Sequence, residues 1–186
     1  MVLSVPGGAM SLFVFGKLPS AGDFVSRGFD AAARDALDLW ITQSLSNARL
    51  HSGVEFEDAY DAAPPWLYCI TAGPQPHQGA LIPSIDAAGR RFPLLVAHGP
   101  VEGMRPAHIA ATCCAFARAA IIESWSADQL AQTELSLDCE DEGLEPPVEE
   151  DCWWTPASEG YDGDYRTGHR PRDIIDAMLG MRERML

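Results

Sequence analysis

The sequence is short of several features that would point to a function at once. It carries 13 Lys and Arg against 27 Asp and Glu, a formal net charge of −14. A surface of that sign repels nucleic-acid phosphates and anionic lipid headgroups. Residues 1–10 lack the basic start and long apolar centre of a secretory signal. No uninterrupted apolar run approaches the roughly 20 residues that a membrane-crossing helix requires. The expectation is a cytoplasmic protein, with no nucleic-acid partner and no direct membrane insertion.

Catalytic and metal-binding patterns are scarce as well. The five cysteines include the neighbours Cys113 and Cys114, and none shows paired zinc-ligand spacing. They read as core thiols of a reducing compartment. His51, His77, His98, His108 and His169 are scattered, without a second ligand three or four residues on, so no metal is expected. Gly16-Lys17 fails as a phosphate-binding loop: Ser11 stands where the first glycine belongs, and Leu18 where a magnesium-binding Ser or Thr belongs. Ser84 and Asp86 lack the G-x-S-x-G elbow of a hydrolase nucleophile. The expectation is a protein that is not an enzyme and needs no cofactor.

What is present fits one α/β domain. The 186 residues are 47% hydrophobic and 22% charged, enough to bury a core without disulfide staples. Residues 1–10 read as a flexible extension, with Met10 as an alternative start, and residues 11–186 as a single domain. Within it, residues 138–151 hold eight acids and no base, an exposed loop that leaves −6 for the remainder.

Apolar runs at 12–15, 66–71, 80–83, 92–97 and 152–155 read as strands, the third and fourth joined as an antiparallel hairpin through residues 86–89. Pro83 and Pro93 belong at strand ends, bulges or an edge, where no ladder donor is needed. Asp30 is placed to cap a helix over about 31–47, with Leu37, Trp40, Ile41 and Leu45 on one stripe. Residues 56–62 read as a short helix and Pro106 opens a long one to about 124. Helices are also expected over 127–135 and from Pro171 onward. The Gly- and Pro-rich stretch 73–77 and the stretch 158–168 read as loops. The expected architecture is a single-domain sandwich, a mixed, partly antiparallel sheet flanked by helices.

Two loops carry the chemistry worth weighing. After the first strand, Gly16, Pro19 and Gly22 shape a turn holding Lys17 and Asp23, and Phe24 and Val25 pin it to the core. At the hairpin tip, Asp86, Gly89, Arg90 and Arg91 either form a carboxylate- or phosphate-binding group or merely stabilise their own turn. Trp153 and Trp154 are neighbours on a strand, so their rings face opposite ways: one core, the other a candidate interface anchor.

Gly16-Lys17-Leu18-Pro19 with Gly22-Asp23-Phe24-Val25 resembles the N-terminal signature of TagF (ImpM) proteins, which accompany bacterial type VI secretion systems. Ile82-Pro83-Ser84-Ile85-Asp86, Gly89-Arg90 and Phe92-Pro93-Leu94 resemble its second block. Asp58-Ala59-Tyr60 with Pro65-Trp66, and Trp153-Trp154, match further segments. The resemblance implies a compact α/β sandwich that restrains secretion after translation by binding a cytoplasmic FHA-domain scaffold protein. Together with the strand reading of the Trp pair, it makes Lys17, Asp23, Ser84, Asp86, Arg90 and Trp153 the candidate partner-binding residues, with Gly16, Pro19, Gly22, Gly89 and Pro93 shaping the loops. Two alternatives remain: a structural or assembly component of the apparatus, and a small-ligand sensor built on Lys17, Asp23, Asp86 and Arg90.

Overall fold

Alternation along the strands decides which side of the sheet each residue faces, and here both sides are apolar. In the computed structural model, which describes residues 12–71, 76–135, 146–147, 151–157 and 162–180, seven strands form one sheet. They are β1 (Phe13–Gly16), β2 (Val25–Arg27), β3 (Trp66–Ile70), β4 (His77–Ile82), β5 (Leu94–His98), β6 (Cys152–Thr155) and β7 (Asp164–Thr167). Their order is β2-β1-β5-β4-β3-β6-β7. Phe13, Phe15, Trp66, Tyr68, Ile70, Leu81, Leu95, Ala97 and Trp153 face one side, packed with helices α1 (Ala31–Ser52), α2 (Phe56–Asp61) and α5 (Ile174–Met178). Val14, Leu67, Ala80, Ile82, Leu94, Val96, Cys152 and Trp154 face the other, under α3 (Pro106–Ile122) and α4 (Ala127–Ala131). The α/β sandwich is therefore as expected.

Several details differ from the sequence reading. Every strand pairing is antiparallel, so the sheet is not mixed. The two long helices do not act as crossovers between parallel neighbours, which is what a parallel pair would require. Residues 164–167, expected within a loop, form the edge strand β7, where only Arg166 of the four is buried. Strand β2 was likewise hidden in the loop after β1; three residues with one buried side chain give no periodic signal.

Helix α1 begins as expected, with the Asp30 carboxylate accepting from Ala33 N at 2.8 Å. It runs to Ser52, past the expected end near 47, because neither Gly nor Pro interrupts it before Gly53. Helices α4 and α5 are shorter than expected. His77 opens β4 rather than ending a loop. Trp153 and Trp154 are 2% and 3% exposed, so neither is a surface anchor: helices cover both faces where the two rings emerge. The extension 1–10 and most of the acidic stretch 138–151 lie outside the described residues.

Candidate functional site

β1 ends, β4 ends and β5 begins at the same end of the sheet, where Phe15 pairs with Leu95 and Ile82 with Leu94. The two signature loops, residues 17–24 and 83–93, therefore meet. Gly16 makes the first step possible. Its φ is +131°, and a Cβ there would drive into the Pro93 carbonyl, so only glycine lets the two chains approach this closely.

Asp86 is the centre of the junction. Its Oδ2 accepts from Lys17 Nζ at 2.8 Å and from Arg90 Nε at 2.7 Å. Its Oδ1 accepts from the backbone N–H groups of Ala88 and Arg90, both at 2.9 Å. Gly89 N donates to Asp86 O and Asp86 N to Arg90 O, closing the turn. The Lys17 ammonium, the Arg90 backbone and guanidinium groups and the Ala88 N–H hold the Asp86 carboxyl far below the usual carboxylate range. Lys17 is the only lysine of the chain, is 6% exposed, and lies 5.0 Å from the centre of the Phe24 ring.

Further bonds tie loop to loop. Ser84 Oγ donates to Lys17 O at 2.8 Å, Ala87 N to Ala21 O at 2.9 Å and Arg90 Nη2 to Gly22 O at 2.7 Å. Tyr60 of α2 braces the same point, its hydroxyl within 3.3 Å of Ser84 N, and burial pushes that phenol well above its ordinary pKa. Phe24 and Phe92 meet edge to face, ring centres 4.7 Å apart.

The sequence-marked residues separate into two groups. Lys17, Ser84, Asp86 and Arg90 converge. Asp23 does not join them: its carboxylate accepts from the Phe24 N–H and stays exposed. Arg91 turns away from Arg90 and forms a bidentate pair with Asp61 at 2.7 and 2.8 Å, with Glu57 at 3.1 Å, so the two guanidinium groups do not form one fork. Trp153 sits elsewhere, stacked on Tyr68 at 4.2 Å in the core. Tyr60 and the carbonyls of Ala21 and Gly22 were not legible as members, since contacts between distant segments leave no local spacing.

Outside the junction, Lys17, Phe24, Gly89, Arg90 and Arg91 line a shallow depression of about 480 Å³ with Thr42, Ser46 and Arg49 of α1. The Arg90 side chain is 60% exposed, and Phe24 and Ile85 are exposed beside it. Among the described residues no group of three His, Cys, Asp or Glu is placed to hold a metal ion. None of the described helices is long and apolar enough to cross a membrane.

This arrangement defines an α/β domain whose two signature loops meet in a braced junction, with an exposed aromatic and cationic rim. The chain belongs to the TagF N-terminal domain family, associated with type VI secretion systems, whose model matches residues 14–140. The crystal structure of PA0076 from Pseudomonas aeruginosa PAO1 has the same fold, with a TM-score of 0.67 and 22% sequence identity over 91% of this chain and 94% of that one. No curated protein sequence matches.

Proposed function

We propose that this chain is a cytoplasmic, non-enzymatic regulator that restrains type VI secretion after translation by occupying the FHA-domain scaffold protein of the apparatus. The family places it with type VI secretion; the mode of action is inferred from the junction. One observation carries it: the polar groups of the signature are spent on each other, while what faces outward is a surface of Arg90, Phe24, Ile85 and Asp23. A nucleophile or general base needs a lone pair that can reach a substrate. Ser84 Oγ, Lys17 Nζ and the Asp86 carboxylate are instead committed within the protein. An exposed ring beside a guanidinium on a rigid base suits protein recognition.

The sensor reading is less well supported, because only Lys17 and Arg90 of its four residues line the depression. The assembly-component reading predicts the opposite genetics. Losing a restraining protein raises secretion, whereas losing a component abolishes it.

Calorimetric titration against the FHA-domain scaffold encoded with the same secretion system, phosphorylated and unphosphorylated, tests the proposal. A saturable complex, weakened at least about tenfold (~1.4 kcal/mol) by Arg90→Glu or Ile85→Asp in folded protein, is the expected result. No heat and no co-elution would overturn it, and unchanged affinity in a folded Arg90→Glu variant would remove Arg90 from the contact.

A further inference from the structure

At the opposite end of the sheet, on the side covered by α1, the core does not close. A cavity of about 380 Å³ opens between the first turns of α1 and the strands, in the size range of small-ligand pockets. Its deep wall is apolar: Leu37 and Trp40 from α1, Ile70 from β3, Leu95 from β5 and Trp153 from β6, all buried. Ala33 and Gly99 bring little side-chain bulk, which is why these elements leave a space rather than a packed seam. Phe13 and Phe29, half-buried and 5.1 Å apart, flank the opening.

The polar side chains around this cavity are nitrogen bases in three different states. His77, His169 and Arg170 line it, and among the described residues no carboxylate side chain does. His77 has its Nδ1 bound to the Tyr68 hydroxyl at 2.9 Å, and burial lowers its pKa to about 4, so the ring is neutral near pH 7. His169 Nε2 pairs with Asp151 at 2.7 Å, and Asp151 also accepts from Thr71 N and Oγ1. Arg170 is exposed and has no ion pair among the described residues. An exposed guanidinium with no ion pair among the described residues, beside an apolar, aromatic-walled cavity, is placed to receive an anion.

We infer that this cavity binds a small amphiphilic carboxylate, its acyl or aryl body against Trp40, Trp153 and Phe13 and its carboxylate on Arg170. A guanidinium accepts a carboxylate through two parallel N–H bonds, and neutral His77 offers a polar contact without the desolvation cost of a second charge. The reading is independent of the scaffold: it concerns the other end of the sheet and is measured without a protein partner.

The test titrates the purified full chain with decanoate and, separately, indole-3-acetate, which distinguishes an acyl from an aryl ligand. Decylamine and decanol serve as charge controls. At least one carboxylate is expected to bind saturably at one per chain, with Kd on the order of 10 μM. Both controls, and the surface variant Arg170→Glu, are expected to weaken binding about tenfold or more (~1.4 kcal/mol). Ala33→Trp, which fills the cavity from an accommodating helix position, is expected to abolish binding while circular dichroism stays unchanged. The inference is overturned if neither carboxylate saturates below about 1 mM (~−4 kcal/mol). It is equally overturned if decylamine or decanol binds as tightly, or if Arg170→Glu binds undiminished.

Discussion

Lys17 Nζ and Asp86 Oδ2 lie 2.8 Å apart, with the two side chains 7% and 0% exposed, although 69 residues of chain separate them. The pair joins the loop after β1 to the loop before β5 out of reach of solvent. A buried ion pair is a poor source of net stability, because removing both charges from water costs about as much as their attraction returns. Breaking this one is another matter, since it leaves the buried Asp86 carboxylate with only the largely exposed Arg90 as its charge partner.

Lys17→Met is therefore expected to lower the melting temperature by on the order of 10 °C, more than any exposed charge deletion in the chain. Because Lys17 is the only lysine, acetic anhydride labelling followed by mass spectrometry reads the same contact directly. In the native protein Lys17 should label far more slowly than in Asp86→Ala. Equal labelling rates would show that the ammonium is not sequestered.

Acidification should act in two separate windows. His77 is held neutral in the fold down to about pH 4, against an ordinary value of 6.5. The unfolded chain therefore binds the extra proton between those limits. The stability this gives is full above about pH 6.5, and falls by roughly 3 kcal/mol as the pH drops to about 4. Asp86, depressed by Lys17 and Arg90, contributes stability above the ordinary carboxylate range and loses it as the pH falls further. Urea midpoints measured from pH 7 to 2.5 should decline through both windows. His77→Gln should flatten only the upper one and Asp86→Asn should soften only the lower. A wild-type midpoint flat from pH 6.5 to 4.5 would contradict the His77 assignment.

The two signature glycines should respond unequally to the same change. Gly16 sits at φ +131° against the Pro93 carbonyl, whereas Gly89, at φ +77°, faces open space. Gly89→Ala should cost only the left-handed backbone penalty, about 1–2 kcal/mol. Gly16→Ala must part β1 from the start of β5 and is expected to give little soluble protein. Comparable stability of the two variants, by urea denaturation, would refute the steric account.

That contrast also shows what was legible in the sequence. Strands β1, β3, β4, β5 and β6 declared themselves through apolar runs bounded by Gly and Pro, and α1 through Asp30 and the stripe from Leu37 to Leu45. The Lys17, Ser84, Asp86 and Arg90 group was legible only as two signature blocks. That a fifth residue, Asp23, would stay apart depends on a local bond to its neighbour's N–H. Arg91 looked like a second fork beside Arg90 until Asp61, thirty residues earlier, claimed it. The cavity at the far end draws on β1, α1, β3, β4, β5, β6 and the segment before α5, and no window of sequence contains such a set. Antiparallel pairing throughout was missed because a strand's own residues do not state the direction of its neighbour.

Trp153 gives the sharpest separation between core and surface roles. The sequence makes it a candidate partner contact, yet it is 2% exposed, stacks on Tyr68, lies 5.2 Å from the Trp40 ring and donates from Nε1 to His169 O at 3.2 Å. A residue so placed acts on binding only through the fold. Trp153→Ala should destabilise the domain by about 3–5 kcal/mol, as large-to-small changes at buried aromatic positions do. Trp153→Phe keeps most of the stacking and should cost less, chiefly the indole bond and the lost volume. Measured at a temperature where Trp153→Phe stays folded, affinity for the scaffold should match the wild type, because the Arg90 rim lies at the opposite end of the sheet. A tenfold loss of affinity in that folded variant would mean that Trp153 is linked to the recognition surface through the sheet, and would return it to the site.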